Sequence, residues 1–350
     1  MRDLAFGLLW LCVAFPALAN DGFGGLTATG LTFGQTDKVS MESEDLSISL
    51  DRIEVDYVFR NLTDQDVTGE VIFPLPPISL GYMWNTDFNL PDDLTRPDLL
   101  NFSVTVDGTS VTPNIDRVAV LDGDWWDVQP GAAEYDTPGQ DVTALLESFG
   151  IPVTLDLDAV DAALRALNKD QRAAVQAAGL AEFGEEGDAP TEILPSWSVV
   201  IRYHWTQTFP AGQTLAVSHG YDNRPPGGLF GWTHPPEADY ELETARRYCI
   251  DEGTSKALVK VLRYTDENGD SYSMGQAHYI AYVLRTANSW AGPIKQFRLT
   301  LDKGAPGNVI SLCADGIKKT GPTTFVMEKT DYSPADDLHV LIAAPFPKPE

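Results

Sequence analysis

The sequence predicts a mainly β protein: a β-sandwich with a helical insertion and a β-rich C-terminal half. Three observations carry that expectation. Short stretches of alternating apolar and polar residues recur along the chain. Clusters of Gly, Pro, Asn and Asp separate them. One central stretch breaks this rhythm with apolar residues at helical spacing.

The first element stands apart from that fold. Arg2 precedes an apolar run from Leu4 to Phe15, followed by Pro16 and Ala17-Leu18-Ala19. Small residues at Ala17 and Ala19 suit a signal peptidase and place a cut before Asn20. The run is short for a membrane span, and no stop-transfer segment follows. Residues 1–19 therefore read as a signal peptide of a protein exported to the periplasm or the exterior, with no transmembrane segment after cleavage.

Residues 20–138 read as an N-terminal β-sandwich part. Leu46, Ile48 and Leu50 alternate with Ser47 and Ser49. Ile53, Val55, Tyr57 and Phe59 then alternate with Glu54, Asp56, Val58 and Arg60. The cluster Asn61 to Asp66 is a turn, and Val67 to Phe73 resumes as a strand until Pro74, Pro76 and Pro77. Two such strands joined by a polar turn form a hairpin with one buried face. A second hairpin has Phe102, Val104 and Val106, the turn Asp107-Gly108, and Val111 beyond it.

Residues 139–187 read as the helical insertion. Asp141 to Phe149 has a capping residue at its start, with Gly150 and Pro152 at its end. Leu157, Val160, Leu164 and Leu167 form a helical stripe. Asp170 is placed to cap a following Ala-rich turn that runs to Gly179, and Glu182 to Pro190 reads as a polar linker. The stripe is expected to pack on the sandwich.

Residues 188–350 read as a β-rich C-terminal part with one short helix. Val199, Ile201, Tyr203 and Trp205 share a face. Phe209 to Gly212 turns, and Leu215 to Val217 returns. After a Pro/Gly-rich loop from Asn223 to Pro236, Asp251 is placed to cap a helix carrying Leu258, Val261 and Leu262. Asp266 to Asp270 is a turn. Strands follow near Tyr279–Leu284, Phe297–Leu301, Val309–Leu312, Thr324–Met327 and Leu338–Ala343.

Composition narrows the function. The formal net charge is −27, which repels phosphate backbones and argues against nucleic-acid binding. Cys12 lies in the leader, so an even pair, Cys249 and Cys313, remains for an exported chain and suggests a disulfide. It would close a loop of about 65 residues, which the chain-entropy model values at roughly 4 kcal/mol.

Asp122, Asp124 and Asp127 surround Trp125-Trp126. Trp faces stack on sugar rings and carboxylates accept hydroxyl protons, so this cluster is a possible ligand-binding site; tryptophans packed down on the sandwich are the alternative. Asp45-Leu46-Ser47-Ile48-Ser49 matches an adhesion-type metal pattern, but strict alternation puts its polar groups on a strand's solvent face. Asp266 to Asp270 lacks the ligand order of an EF-hand. His204, His219 and His234 recur every fifteen residues without a zinc-site spacing. No metal site and no cofactor is implied. Asn61-Leu62-Thr63 and Asn101-Phe102-Ser103 are formal glycosylation sequons. No GxSxG, HExxH, SxxK or Cys–His nucleophile arrangement occurs, and no catalytic residue can be named.

Several segments together carry a family likeness: Met41-Glu42-Ser43-Glu44-Asp45-Leu46, Tyr57-Val58-Phe59-Arg60-Asn61, Phe73-Pro74-Leu75-Pro76, Phe209-Pro210-Ala211-Gly212, Trp290-Ala291-Gly292-Pro293-Ile294, Phe297-Arg298-Leu299 and Lys318-Lys319-Thr320-Gly321-Pro322. Their order over nearly the whole mature chain resembles the bacterial exported domain-of-unknown-function family 4424. That resemblance implies export and a β-rich fold, and brings no activity. The strand–turn–strand ending at Pro76 is also similar to the sandwich module found ahead of von Willebrand-type domains in vault and inter-alpha-trypsin-inhibitor proteins. This chain has no following adhesion domain.

The expectation is an exported, non-catalytic binding or envelope-associated module whose partner is an envelope protein or a glycan. The alternatives are an extracytoplasmic hydrolase acting on glycans through a carboxylate pair, and a structural protein that helps a neighbour assemble.

Overall fold

The computed structural model describes residues 22–27, 30–75, 77–83, 89–121, 140–186, 189–265 and 269–347. The leader, the Asp122–Asp127 cluster and the 266–268 part of the acidic turn lie outside the described residues.

The fold is mainly β, as the alternation implies. Among the described residues, one sheet has seven strands. Its order is Gln140–Asp141, Asn114–Leu121, Ser198–Phe209, Val67–Pro74, Gly22–Thr27, Gly30–Phe33, with Ile78–Ser79 also on Ser198–Phe209. A second sheet has eight: Lys318–Lys319, Thr324–Tyr332, Ile294–Asp302, Val39–Ile48, Arg52–Asn61, Thr214–Asp222, Ser103–Val106, Thr109–Val111. Strands from the expected N-terminal and C-terminal parts pair within both sheets. Ile294–Asp302 lies parallel to Val39–Ile48, while the other pairings described are antiparallel.

The two sheets face each other across an aromatic seam. Phe73 on the first sheet lies 4.6 Å, ring to ring, from His219 on the second and 5.3 Å from Tyr221. Phe102 stacks on Tyr203 at 4.2 Å. Burying each such ring contributes about 1.5–3 kcal/mol, and each ring pair adds about 0.5–1.5 kcal/mol. Register sets which residues enter the seam. A bulge between Met41 and Ser43 shifts the alternation, so Val39 and Met41 face inward before it and Glu44, Leu46 and Ile48 after it. The turn Asp107-Gly108 has both residues at positive φ, 48° and 76°, as a two-residue type I′ hairpin requires.

A third sheet combines Gly227–Gly231, Ser271–Tyr282, Leu338–Pro345 and Val309–Leu312, with Arg263–Thr265 also on Ser271–Tyr282. One face packs on the helices Asp239–Arg247 and Glu252–Val261 through Phe230, Ala277, Leu341, Ala343, Leu258 and Leu262. The other face joins the sandwich core through Ile280, Tyr282, Val340 and Ile342. The Tyr57 and Tyr282 hydroxyls meet at 3.2 Å where it does so.

The helical insertion contains Thr143–Ser148, Leu157–Ala166 and Lys169–Ala177. Val160 and Leu164 are buried, as the stripe implies, and Leu157, Val160 and Leu164 lie against Ile193 and Pro195. Three expectations need correction. The stretch 182–190 is a hairpin of Ala181–Glu186 on Ala189–Pro195 rather than a linker, because Ala181 and Ile193 have apolar surface to bury and Gly184 admits a bulge. Asn168 caps the third helix instead of Asp170, in a reciprocal box with Gln171. The helix Asp239–Arg247 falls where no element was anticipated. Glu241 holds its start by accepting from the backbone of Glu237 and Ala238 at 2.9 and 3.1 Å. Asp251 caps the next helix as expected, accepting from Thr254 N at 2.6 Å.

Candidate functional site

Each described residue that stood out in the sequence has a definite place. Asp122, Asp124, Trp125, Trp126 and Asp127 lie outside the described residues, after the strand Asn114–Leu121. Trp197 and Trp205 are buried in the core. The three histidines do not converge. His219 sits inside the seam among Tyr57, Phe73 and Phe102, and burial lowers its pKa to about 3. His204 lies on the outer face of the first sheet. His234 lies beside the third sheet, 2.9 Å from Ser255 Oγ. Among the described residues no three His, Cys, Asp or Glu side chains converge as metal ligands. Asn61 is fully buried. Its amide donates to Gln65 O and Phe209 O at 2.7 and 2.8 Å and its Oδ1 accepts from Thr63, which makes it a turn residue. Cys249 and Cys313 form a disulfide, Cα atoms 5.0 Å apart, between the end of the helix Asp239–Arg247 and the end of the strand Val309–Leu312.

Two side-chain arrangements have the look of catalytic machinery and lack an essential part. His204 Nδ1 donates to the buried Glu70 at 3.0 Å, and Nε2 lies 3.5 Å from Asp116 Oδ2. Thr206 donates its proton to Glu70, not to the imidazole, so the row holds no hydroxyl activated by a base. Ser255 faces His234 and accepts from Trp232 Nε1 at 2.9 Å, but Ser255 is buried and closed to a substrate. The shallow depression between Leu157–Ala166 and Pro195 encloses no room even for a water molecule, whereas small-ligand pockets hold roughly 300–1,000 Å³.

An open surface stands out more clearly. Along Ser271–Tyr282 successive side chains alternate between the helical layer and the sandwich side. Ile280 and Tyr282 on the sandwich side are buried. At the other end of the strand no described residue covers that side to the same degree. Tyr272 is 48% exposed and stands directly opposite Tyr264, 40% exposed. Leu229, opposite Gln276, is 71% exposed. The Tyr264 ring meets Phe346 edge-on at 5.4 Å. Tyr240, 56% exposed, brings its hydroxyl to within 3.7 Å of where a Cβ on Gly231 would stand. Leu229, Tyr240, Tyr264 and Tyr272 carry no charge on a strongly anionic molecule. Phenol faces offer apolar stacking area while their hydroxyls remain wet, a combination suited to a binding surface.

Sequence reasoning passed over this surface. The available signal was symmetry: Tyr264-Thr265 and Ser271-Tyr272 flank one turn, so the two tyrosines must pair across it.

The family model described as Domain of unknown function (DUF4424) matches residues 19–341. The chain belongs to that family. No curated protein matches it. Among solved structures it is similar to a Legionella pneumophila protein described as a "putative nutrient binding protein", at 15% identity and a TM-score of 0.41, covering 93% of this chain and 72% of that one. Among the described residues no helix of this DUF4424 protein is long and apolar enough to cross a membrane.

Proposed function

We propose that this protein is an exported, non-catalytic binding module that meets an envelope protein or a glycan through the open aromatic end of its third sheet. The exposed Tyr264–Tyr272 pair with Leu229 carries the reading. The leader at residues 1–19 supports export, and the Cys249–Cys313 disulfide suits an oxidising compartment. The helical insertion, residues 139–187, serves as packing for the sandwich and takes no part in contact.

The test is a glycan array and a pull-down from envelope extract, with wild type and a Tyr264→Ala/Tyr272→Ala double variant. Retention by wild type that falls at least tenfold in the variant is expected. Wild type that retains nothing, or a variant that retains as much, overturns the reading.

One observation favours a second reading, a glycan hydrolase. Asp45 and Asp56 stand directly opposite on the solvent face of the second sheet. Desolvation raises the pKa of Asp45 despite the opposing charge of Arg298, and Asp56 and Glu328 raise it further. Two facing carboxyls, one of them less acidic than usual, are what an acid–base pair is built from. Turnover of a polysaccharide or peptidoglycan that is lost in Asp45→Asn and Asp56→Asn would favour it; absence of turnover in wild type removes it.

A further inference from the structure

The third sheet also has an unguarded edge. In an antiparallel ladder alternate residues turn their N–H and C=O toward the partner strand and the others turn them away. Two bonds fix the phase here: Tyr279 N–H donates to Pro226 O at 2.9 Å, and Trp232 N–H donates to Ser273 O at 3.1 Å. With the register Gly228↔Ala277 and Phe230↔Gly275, residues 228 and 230 bond inward. Gly227, Leu229 and Gly231 therefore present their backbone groups outward, and none of the three makes a hydrogen bond outside the ladder among the described residues.

Several other edges are protected. Lys318–Lys319 closes one end of the second sheet with two cations, and the short polar Thr109–Val111 closes the other. Gln140–Asp141 ends the first sheet with a carboxylate. Val309–Leu312 is tied to the helical layer by Ser311 Oγ, which donates to Tyr248 O at 2.9 Å, and by the disulfide at Cys313. These are the usual defences against added strands. Gly227–Gly231 has no Lys, Glu, Asp or Pro, and no described residue stands within 4 Å of a Cβ placed on Gly228. Its Leu229 projects into solvent. A second copy of a chain with net charge −27 is repelled, and a basic segment is attracted.

We infer that this edge takes an extended, basic segment of a partner polypeptide as an added strand. The segment pairs backbone to backbone at Gly227, Leu229 and Gly231, and its apolar side chains cover Leu229. The inference rests on the binding-module reading and names its partner class.

The probe is the acetylated, amidated peptide Lys-Val-Thr-Val-Thr-Val-Lys and a twin N-methylated at every central residue, titrated by fluorescence anisotropy against the full chain. Saturable binding of the first peptide is expected. It should weaken at least tenfold for the twin and in Leu229→Pro, whose lost N–H points outward and leaves the native ladder intact. Leu229→Lys should weaken it by like charge, and amide exchange at Leu229 and Gly231 should slow on binding. Equal binding of the twin, a folded Leu229→Pro with unchanged affinity, or no saturable binding to wild type overturns the inference. If Leu229→Pro does not fold, the twin and Leu229→Lys decide. Glycan retention that depends on Tyr264 and Tyr272 but not on Leu229→Pro would leave the binding module standing and remove the added strand.

Discussion

Between the two large sheets, Phe73, Phe102, Tyr203 and Tyr221 are buried in one continuous aromatic seam. At the far end of the third sheet, Tyr264 and Tyr272 stand on a strand pair of the same alternating kind and remain about half exposed. The residues and the local geometry match; only the presence of a second layer differs. Alternation tells which side of a strand a ring occupies. Whether that side is covered depends on partners brought from elsewhere in the chain. The seam is thus where stability resides, and the open end is where surface remains for another molecule. Substitutions and pH separate the two regions.

The largest effect is expected in acid. His219 lies inside the seam with its pKa lowered to about 3 by burial, against about 6.5 when unfolded. The unfolded chain then binds more protons, so stability is complete above pH ~6.5 and falls as pH drops toward 3, by up to on the order of 5 kcal/mol. Urea titrations at pH 7 and pH 4 should show about 3 kcal/mol of that loss in wild type and a much smaller one in His219→Phe. His339, lowered to about 4 chiefly by burial and then by Arg247, adds a slope common to both proteins, so the difference between them is the measurement. Equal slopes would mean that the seam does not exclude the imidazolium.

Next is the seam's central ring. Phe73 touches Phe102, His219, Tyr221 and Tyr282. Phe73→Ala should cost about 3–5 kcal/mol in denaturant stability. A cost under about 1 kcal/mol would show that the sheets slide together to refill the space. The disulfide should count somewhat less. Cys249→Ser/Cys313→Ser is expected to lose about 2–4 kcal/mol, and the loss should be local. Amide exchange should quicken in 239–262 and 309–312 and stay slow in 53–60, because the bridge ties the helical layer to the third sheet and does not touch the seam.

These regions also differ in how much of them the sequence reveals. Ile53 to Phe59, Val199 to Trp205 and the Asp107-Gly108 turn were legible because period-two patterning and turn chemistry are local. Asp251 was legible as a cap for the same reason. The parallel pairing of Ile294–Asp302 with Val39–Ile48 was not, since it joins strands some 250 residues apart. The hairpin at 181–195 was masked by its glutamates and prolines, which speak of solvent exposure more loudly than Phe183 and Ile193 speak of pairing. The helix Asp239–Arg247 has a start held by Glu241, three residues after Ala238, a residue that gives no side-chain cap signal. The tyrosine face was hidden for the most general reason: Tyr264 and Tyr272 alternate just as buried residues do, and only the layout of three sheets leaves them uncovered.

That leaves the smallest expected effect, which bears most directly on the comparison. Tyr264→Ala/Tyr272→Ala removes a cross-strand ring pair, usually valued at about 0.2–1 kcal/mol, and exposes little that was covered. The double variant should melt within about 2–4 °C of wild type per kcal/mol lost for a chain of this size, and so stay close to it. A loss near that of Phe73→Ala would place the tyrosines in the core in solution and take away the surface on which binding is proposed. A near-neutral melt combined with lost retention of partner would separate the two regions in the way their exposure implies: rings that hold the protein together, and rings left over for something else.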